Sequence, residues 1–304
     1  MASRIAALLR RPLRRFSGDS VTLHLEADSL RLVAARDGRV LLAASEPLPP
    51  EAAPGGVIAD PQAVAGALRR LLAETGAGKC GLVVGLTGER SVPRLLQLPA
   101  MDPSLLREAV PREMKGELPA PLDQVYLSWQ VVGRDNGQIS VFALGVPRDA
   151  LDQHLRAVEL AGAGVRSIDV KPLALIRAVG RAEAIIGDLE PHGLDVIVVR
   201  SGLPVAIRNL GLPPDGATED KVSRLGEELT RAVKFHNDSH PSTPLDPATP
   251  AFLTGSLATE AARARIVEAS IGHPRAPLTP RLEWFSDRPV EPYMVNLGLA
   301  LKER

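Results

Sequence analysis

Residues 20–45 read SVTLHLEADSLRLVAARDGRVLLAAS, and the fold turns on how that stretch divides. Ser20 to Leu25 alternates as a strand does, and Leu30 to Ala35 reads as a second strand. Arg36-Asp37-Gly38-Arg39 is a hairpin turn into a third, Val40 to Ser45; Asp-Gly accepts the positive φ angles that such a turn demands. Asp60-Pro61 then opens a helix, with Asp as N-cap and Pro at the first helical position. It runs to about Thr75, buries Val64, Leu68, Leu71 and Leu72, and stops at Gly76. Cys80 to Leu86 is an apolar strand of the kind buried on both faces. The same order returns later. Ala184 to Leu189 and Asp195 to Arg200 are strands, Ser201-Gly202 turns the chain into Leu203 to Asn209, and the helix Glu219 to Asn237 precedes the strand Ala251 to Thr254. A meander with a crossover helix, occurring twice, predicts an α/β protein built from a duplicated domain around an internal cleft.

Between the two copies lies a segment of different character. A helix is expected from Pro103 to about Leu118, then strands at Gln124 to Val132 and Ile139 to Val146 joined by Arg134-Asp135-Asn136-Gly137. A helix from Pro147 to Ala161, a strand from Val165 to Val170 and a helix from Pro172 to Arg181 follow. Helices near Ala258 to Ser270 and Tyr293 to Lys302 close the chain. The expected domains are a basic tail (1–18), a first half (19–183) with an inserted subdomain at about 90–160, and a shortened second half (184–304).

Composition narrows the function. Apolar residues make up 45% of the 304, so a core can form, but aromatics are only 3% and the core must be aliphatic. Thirty-six basic residues balance thirty-six acidic ones, which gives no global pull toward nucleic acid. Cys80 is the single cysteine; it makes no intramolecular disulfide and no thiolate cluster, and suits a reducing compartment. No apolar run approaches the roughly 18–20 residues of a membrane span, and Ile5 to Leu9 is too short for a signal h-region, so a cytoplasmic protein is expected. The first residues, MASRIAALLRRPLRRFSG, set Arg4, Arg10, Arg11, Arg14 and Arg15 among apolar side chains near helical spacing. Such a segment can lie on an anionic membrane surface; Pro12 interrupts it, and a plain tail is the competing reading.

Four blocks of the chain resemble one family. Glu113 to Gly133, EMKGELPAPLDQVYLSWQVVG, resembles the PilM signature in which a helix ends in E-(I/L)-P-x-P-L-(D/E)-x-V and leads into a D-W-Q-V-(V/I) strand. Ala157 to Ala178, AVELAGAGVRSIDVKPLALIRA, resembles A-G-L-x-x-x-x-(I/V)-D-V-x-x-(L/F)-A-L-x-R-A. Arg94 to Met101 resembles R-x-I-x-L-P-x-M, and Pro292 to Lys302 resembles the A-L-G-L-A-L ending. The resemblance implies an actin-like fold related to FtsA, at the cytoplasmic face of the inner membrane. It also implies an adaptor of type IV pilus assembly whose partner is the cytoplasmic N-terminal segment of a bitopic PilN-like protein. Met114, Leu118 and Trp129 fall in the block that would face that peptide. Trp129 on a strand is equally a core residue.

An actin-like nucleotide cleft needs glycines in two hairpin loops so that backbone N–H groups can approach phosphates, with an Asp on each strand beside the metal. The family's first loop, G-I-D-I-G-S-S-S-(V/I)-K, aligns with Thr22 to Arg31; His24 stands at the metal-side Asp, Glu26 at the first phosphate Gly, and Asp28 follows. The second, D-I-G-A-T-S-T, aligns with Asp188 to Leu194; Asp188 is kept, Glu190 replaces Gly, and Pro191 removes a donor. The adenosine turn, L-S-G-G-G-A, is Leu253 to Ala258, keeping Gly255. Only Leu210 to Asp220 stands where the family has an outer lid subdomain. Two loops that each exchange Gly for Glu predict a protein that is not an enzyme and takes no cofactor. A working actin-like ATPase is the alternative, resting on Asp188 and Gly255. An L-type component of type II secretion is another, although those chains continue into a membrane span and this one ends at Arg304.

Other motifs weigh little. His236 and His240 are four apart with no third ligand placed, so no metal is expected. Gly76-Ala77-Gly78-Lys79 lacks the first Gly and the final Ser/Thr of a P-loop and reads as a helix-to-strand turn. There is no Gly-x-Ser-x-Gly elbow.

Overall fold

The computed structural model describes residues 20–78, 80–87, 91–118, 120–135, 137–258, 271–285 and 287–302. The basic tail with its five arginines, Lys79, and all but the first residue of the helix expected at 258–270 lie outside them.

The first meander is β1 (Ser20–Leu25), β2 (Ser29–Arg36) and β3 (Arg39–Pro47). Arg36 pairs with Arg39 across a two-residue turn in which Asp37 (φ 49°) and Gly38 (φ 89°) are both left-handed. That turn matches the twist of the flanking strands. Helix α1 (Pro61–Thr75) begins where the sequence indicates: the Asp60 carboxylate accepts hydrogen bonds from the backbone N–H of Gln62 (2.9 Å) and Ala63 (3.1 Å), and Gly76 ends it at φ 72°. β4 (Gly81–Leu86) returns parallel to β1.

The second meander repeats the first. β9 (Ala184–Glu190), β10 (Gly193–Arg200) and β11 (Leu203–Gly211) are antiparallel, and Ser201 (φ 51°) and Gly202 (φ 76°) form the matching turn. Only residues 212–217 separate β11 from the next helix, Thr218–Ser239, so no outer subdomain is inserted there. β12 (Ala251–Thr254) then lies parallel to β9. The strand orders are β3-β2-β1-β4-β8 and β11-β10-β9-β12, where β8 (Gly164–Val170) adds a fifth, parallel strand to the first sheet. The duplication expected from the sequence is therefore present strand for strand.

The two sheets share one core. Val33, Ala35 and Val83 from the first and Ile186, Ile197, Val199 and Phe252 from the second meet Ala174, Leu175 and Ala178 of the helix Lys171–Val179, together with Met294, Val295, Leu297 and Leu299 of the helix Met294–Ala300. A Cβ on Gly298 would sit 1.8 Å from the carbonyl oxygen of Ala174, so these two helices touch backbone to backbone.

The chain divides into two compact units, Glu89–Leu155 being the smaller. That unit holds β5 (Val92–Pro99), α2 (Leu106–Met114), β6 (Val125–Asp135) and β7 (Gln138–Pro147), with strand order β5-β7-β6. Its separate core is Leu98, Leu106, Val110, Met114, Ile139, Val141 and Ala143. α2 is shorter than expected. Its first expected residues form a turn in which the Asp102 carboxylate accepts from the Ser104 N–H and hydroxyl, and the helix ends at Met114. β5 is a strand that sequence reading treated only as a motif. Numbered in chain order, the remaining helices are α3 (Arg148–Leu160), α4 (Lys171–Val179), α5 (Thr218–Ser239) and α6 (Met294–Ala300).

Candidate functional site

The matching hairpins bring a charged cluster into the interior of the larger unit. At the end of β1 the sequence is His24-Leu25, with Glu26 immediately after the strand, and at the end of β9 it is Asp188-Leu189-Glu190. Arg31 of β2 lies opposite His24, and Asp195 of β10 lies opposite Asp188. Gly85 of β4 and Thr254 of β12 flank them on the parallel side. Each glutamate thus occupies the same place in its own half. None of His24, Glu26, Arg31, Lys171, Asp188, Glu190 and Asp195 is more than 7% exposed. Burying charge is costly unless every group is paired, and here the pairs are made.

Lys171 is the first residue of α4 and projects its ammonium among three carboxylates: Glu26 Oε1 at 2.9 Å, Asp188 Oδ2 at 2.7 Å and Asp195 Oδ2 at 2.9 Å. The Glu26 oxygen accepts a hydrogen bond from the ammonium, whereas Asp188 Oδ2 is held by charge alone and has no hydrogen-bond donor of its own. Arg31 forks onto Glu190, Nη1 to Oε1 at 2.6 Å and Nη2 to Oε2 at 2.7 Å, and donates also to the carbonyl of Pro292 at 2.8 Å. This is the bidentate geometry that makes a guanidinium–carboxylate pair strong. Lone pairs left over are taken up locally. The Ser256 hydroxyl and N–H reach Glu190 at 2.7 and 3.2 Å, the Thr254 hydroxyl donates to Asp188, and the Asn209 amide donates to Asp195. His24 sets one ring nitrogen 2.7 Å from Glu26 Oε1 and the other 3.2 Å from the Gly85 carbonyl.

The electrostatics follow from these contacts. Burial alone would push the Glu26 carboxyl up, but Lys171, His24 and Arg31 outweigh it and hold it well below the usual carboxylate range. Burial pushes Glu190 up, and its neighbours Glu26 and Asp188 add to that against the pull of Arg31. Asp195 is likewise raised by burial and by Asp188, with Lys171 opposing. Burial would lower Lys171, yet Asp188, Asp195 and Glu26 together keep its ammonium charged well above the ordinary lysine value. Four carboxylates share two permanent cations and one imidazole.

The remaining expected positions fall as follows. Asp28 accepts the Ser29 hydroxyl within the first hairpin turn. Gly255 follows β12 at φ 97°, where a Cβ would lie 2.3 Å from the Leu189 carbonyl oxygen, so only glycine fits. A cavity of about 200 Å³ beside that turn, lined by Leu253, Ala258, Pro277 and Leu278 among others, is below the roughly 300–1,000 Å³ of small-molecule sites. Met114 is fully buried in the smaller unit's core, with Leu118 and Trp129 partly buried against it; Met114 therefore offers a partner no side-chain surface. Sequence reading found Glu26, Asp188, Glu190 and Gly255 but missed Lys171 and Asp195, and gave Arg31 no role.

The comparisons with known proteins agree with this architecture. A family profile described as type IV pilus assembly protein PilM matches residues 28–200, more than half of the chain. The chain belongs to the PilM family. Among solved structures, a PilM-PilN type IV pilus biogenesis complex is similar over 93% of this chain and 98% of that one, at 21% identity and TM-score 0.78. The ethanolamine utilization protein EutJ of Carboxydothermus hydrogenoformans is similar at 14% identity over 96% and 91% of the two chains, TM-score 0.55. The cytoplasmic domain of EpsL, an inner membrane component of the type II secretion system of Vibrio cholerae, is similar at 12% identity over 94% and 96%, TM-score 0.55. The PilM-family chain has the actin-like fold of these proteins, as its four motif blocks imply.

The family resemblance implies a cleft that could take MgATP, and the residues present do not fit that ligand. The oxygens of Glu26, Asp188 and Glu190 that could ligate a metal lie within 4.8 Å of one another, but Lys171 and Arg31 already stand among them. Both hairpins that the resemblance aligns with phosphate loops carry a buried carboxylate, Glu26 and Glu190. Like charges held this close repel. Among the described residues no helix is long and apolar enough to cross a membrane.

Proposed function

We propose that this PilM-family protein serves type IV pilus assembly as a non-catalytic adaptor, and that it binds the cytoplasmic N-terminal segment of a PilN-like bitopic protein. The observation that carries the first part is the cation-paired burial of Glu26 and Glu190 at the two phosphate-loop positions. An ATPase needs those loops open. The second part is supported by the likeness over nearly the full chain to a PilM found in complex with PilN. Leu118 and Trp129, at the edge of the smaller unit's core, are the side chains with surface left to offer that peptide. The adaptor works in the cytoplasm beside the inner membrane, with no nucleic acid, metal or cofactor, and its basic tail (residues 1–18) adds contact with anionic lipid. We take the chain as a first half (19–183) with an inserted subdomain at about 90–160, followed by a shortened second half (184–304).

Isothermal titration of the purified protein with the N-terminal peptide of the PilN-like protein from the same cell tests the partner. A saturable one-to-one isotherm is the expected result, weakened at least tenfold by Trp129→Ala; no heat at any peptide concentration would sink the assignment. Release of phosphate from ATP above a blank, lost on Asp188→Asn, would sink the non-catalytic reading.

A further inference from the structure

The ion pairs do not stay within either half of the duplicated fold. Arg31 belongs to β2 of the first half and Glu190 to β9 of the second. Lys171, on the helix between the sheets, ties Glu26 of the first half to Asp188 and Asp195 of the second. The carbonyl of Pro292, just ahead of α6, takes a further N–H of Arg31. Every strong contact in the cluster except His24–Glu26 and the small polar donors therefore crosses from one sheet to the other or to the helices between them.

We infer that this network is a permanent clamp, in which the chain's own carboxylates at Glu26 and Glu190 hold the two halves together in the way that a bound anionic ligand would. The inference rests on the nucleotide-free reading above and adds what replaces the nucleotide. Three observations support it. The two glutamates are equivalent residues of the two halves, so the cations between them face a carboxylate from each side. Lys171 and Arg31 already direct their charge onto carboxylates of the chain itself, Lys171 onto Glu26, Asp188 and Asp195 and Arg31 onto Glu190 in a two-bond fork. Well-packed apolar residues would fill such a place at equal or lower free energy; a network of fixed donors and acceptors instead specifies one relative placement of the halves. A ligand-dependent fold opens when its ligand leaves, and this clamp cannot leave.

The clamp makes a prediction about its own removal. Taking away the Glu190 side chain leaves the Arg31 guanidinium and the Ser256 hydroxyl facing a space the size of a small oxyanion, so the variant becomes an anion-binding protein. Thermal unfolding of the full chain is compared for wild type, Glu190→Ala, and Arg31→Ala combined with Glu190→Ala, each alone, with acetate, with inorganic pyrophosphate and with MgATP. The expected result is a midpoint lowered by roughly 10 °C in Glu190→Ala. Acetate or pyrophosphate should recover several degrees in that variant and none in wild type or the double variant. A Glu190→Ala midpoint equal to wild type, or a lowered midpoint that neither anion moves, overturns the clamp. If Glu190→Ala does not fold, Arg31→Met with Glu190→Met decides the matter: a folded double variant supports an ion pair that matters as a pair, and a double variant as unfolded as the single overturns it. A wild-type midpoint raised by MgATP would overturn the nucleotide-free reading itself, which is a different outcome from the anion response of the variant.

Discussion

Lys171 sets one ammonium within 2.9 Å of three carboxylates, and nothing else within the cluster can replace it. In Lys171→Met the side chain fills similar space while Glu26, Asp188 and Asp195 remain buried with half their compensation gone. Breaking a buried pair from one side costs about 3–5 kcal/mol, so the urea midpoint of the variant should fall by that equivalent; a loss under about 1 kcal/mol would mean that the carboxylates simply protonate. Glu26 gives a pH-dependent form of the same experiment. Its folded carboxyl titrates below the unfolded value of 4.5 because Lys171, His24 and Arg31 overcome burial. Its contribution is therefore complete above 4.5 and is lost as pH falls beneath it. Glu190 and Asp195, raised by burial, act in the opposite sense, holding protons more tightly when folded and losing that contribution as pH rises. The stability gap between wild type and Glu26→Gln should accordingly be largest near neutrality and narrow as pH drops below 4.5. A gap that stays constant down to acid would show that Glu26 is not ionised in the fold. At this scale the sequence was half legible. Glu26 and Glu190 stand out because each takes the place of a glycine, but their partners do not: Lys171 is 145 residues from Glu26, and Arg31 is 159 from Glu190. Pairing across such separations is decided by topology and leaves no local signal.

Among elements, the readable ones are those closed by local chemistry. Asp37-Gly38 and Ser201-Gly202 specify their turns through positive φ, and Asp60 with Pro61 specifies the start of α1 through one side-chain acceptor. Asp60→Ala should lower stability by about 1 kcal/mol, read as a small shift in the urea midpoint; a Ser there should recover most of it. β5 was illegible for the converse reason. Val92–Pro99 has a proline at its second and last positions and little alternation, and it is a strand because β7 pairs with it from Val92↔Gly145 to Pro99↔Gln138. As an edge strand of its sheet it can carry prolines that a central strand could not. The contact of α4 with α6 likewise has no local signature beyond a glycine in an apolar helix. Gly298→Ala must push the two helices apart, since the new methyl would meet backbone that no rotamer change can move. Overpacking of this kind costs about 3 kcal/mol. The expected drop in thermal midpoint is roughly 6–12 °C, whereas Gly137→Ala, with nothing near its Cβ, should show only the smaller strain of its φ of 76°.

For the whole molecule, the question is whether closure of the two halves is regulated. In a ligand-gated actin-like protein the partner's affinity changes with nucleotide, because a ligand that prefers one state shifts the population of that state, and the coupling is reciprocal. Here the pairs that cross between the sheets are internal, and the proposed adaptor role predicts a protein ready for its partner at all times. The PilN-like peptide should therefore titrate with the same dissociation constant, within about twofold, in the presence and absence of millimolar MgATP. The thermal midpoint should be equally indifferent. A bound nucleotide at 100 times its dissociation constant would stabilise by about 2.7 kcal/mol, a shift of roughly 5–10 °C for a unit of this size, so the two outcomes are well separated. An affinity that rises tenfold with MgATP would correspond to a coupling of about 1.4 kcal/mol and would require the Arg31–Glu190 fork to open when nucleotide enters. Unchanged affinity would place the control of assembly in the supply of the partner rather than in this protein, whose two halves are held by its own carboxylates and cations.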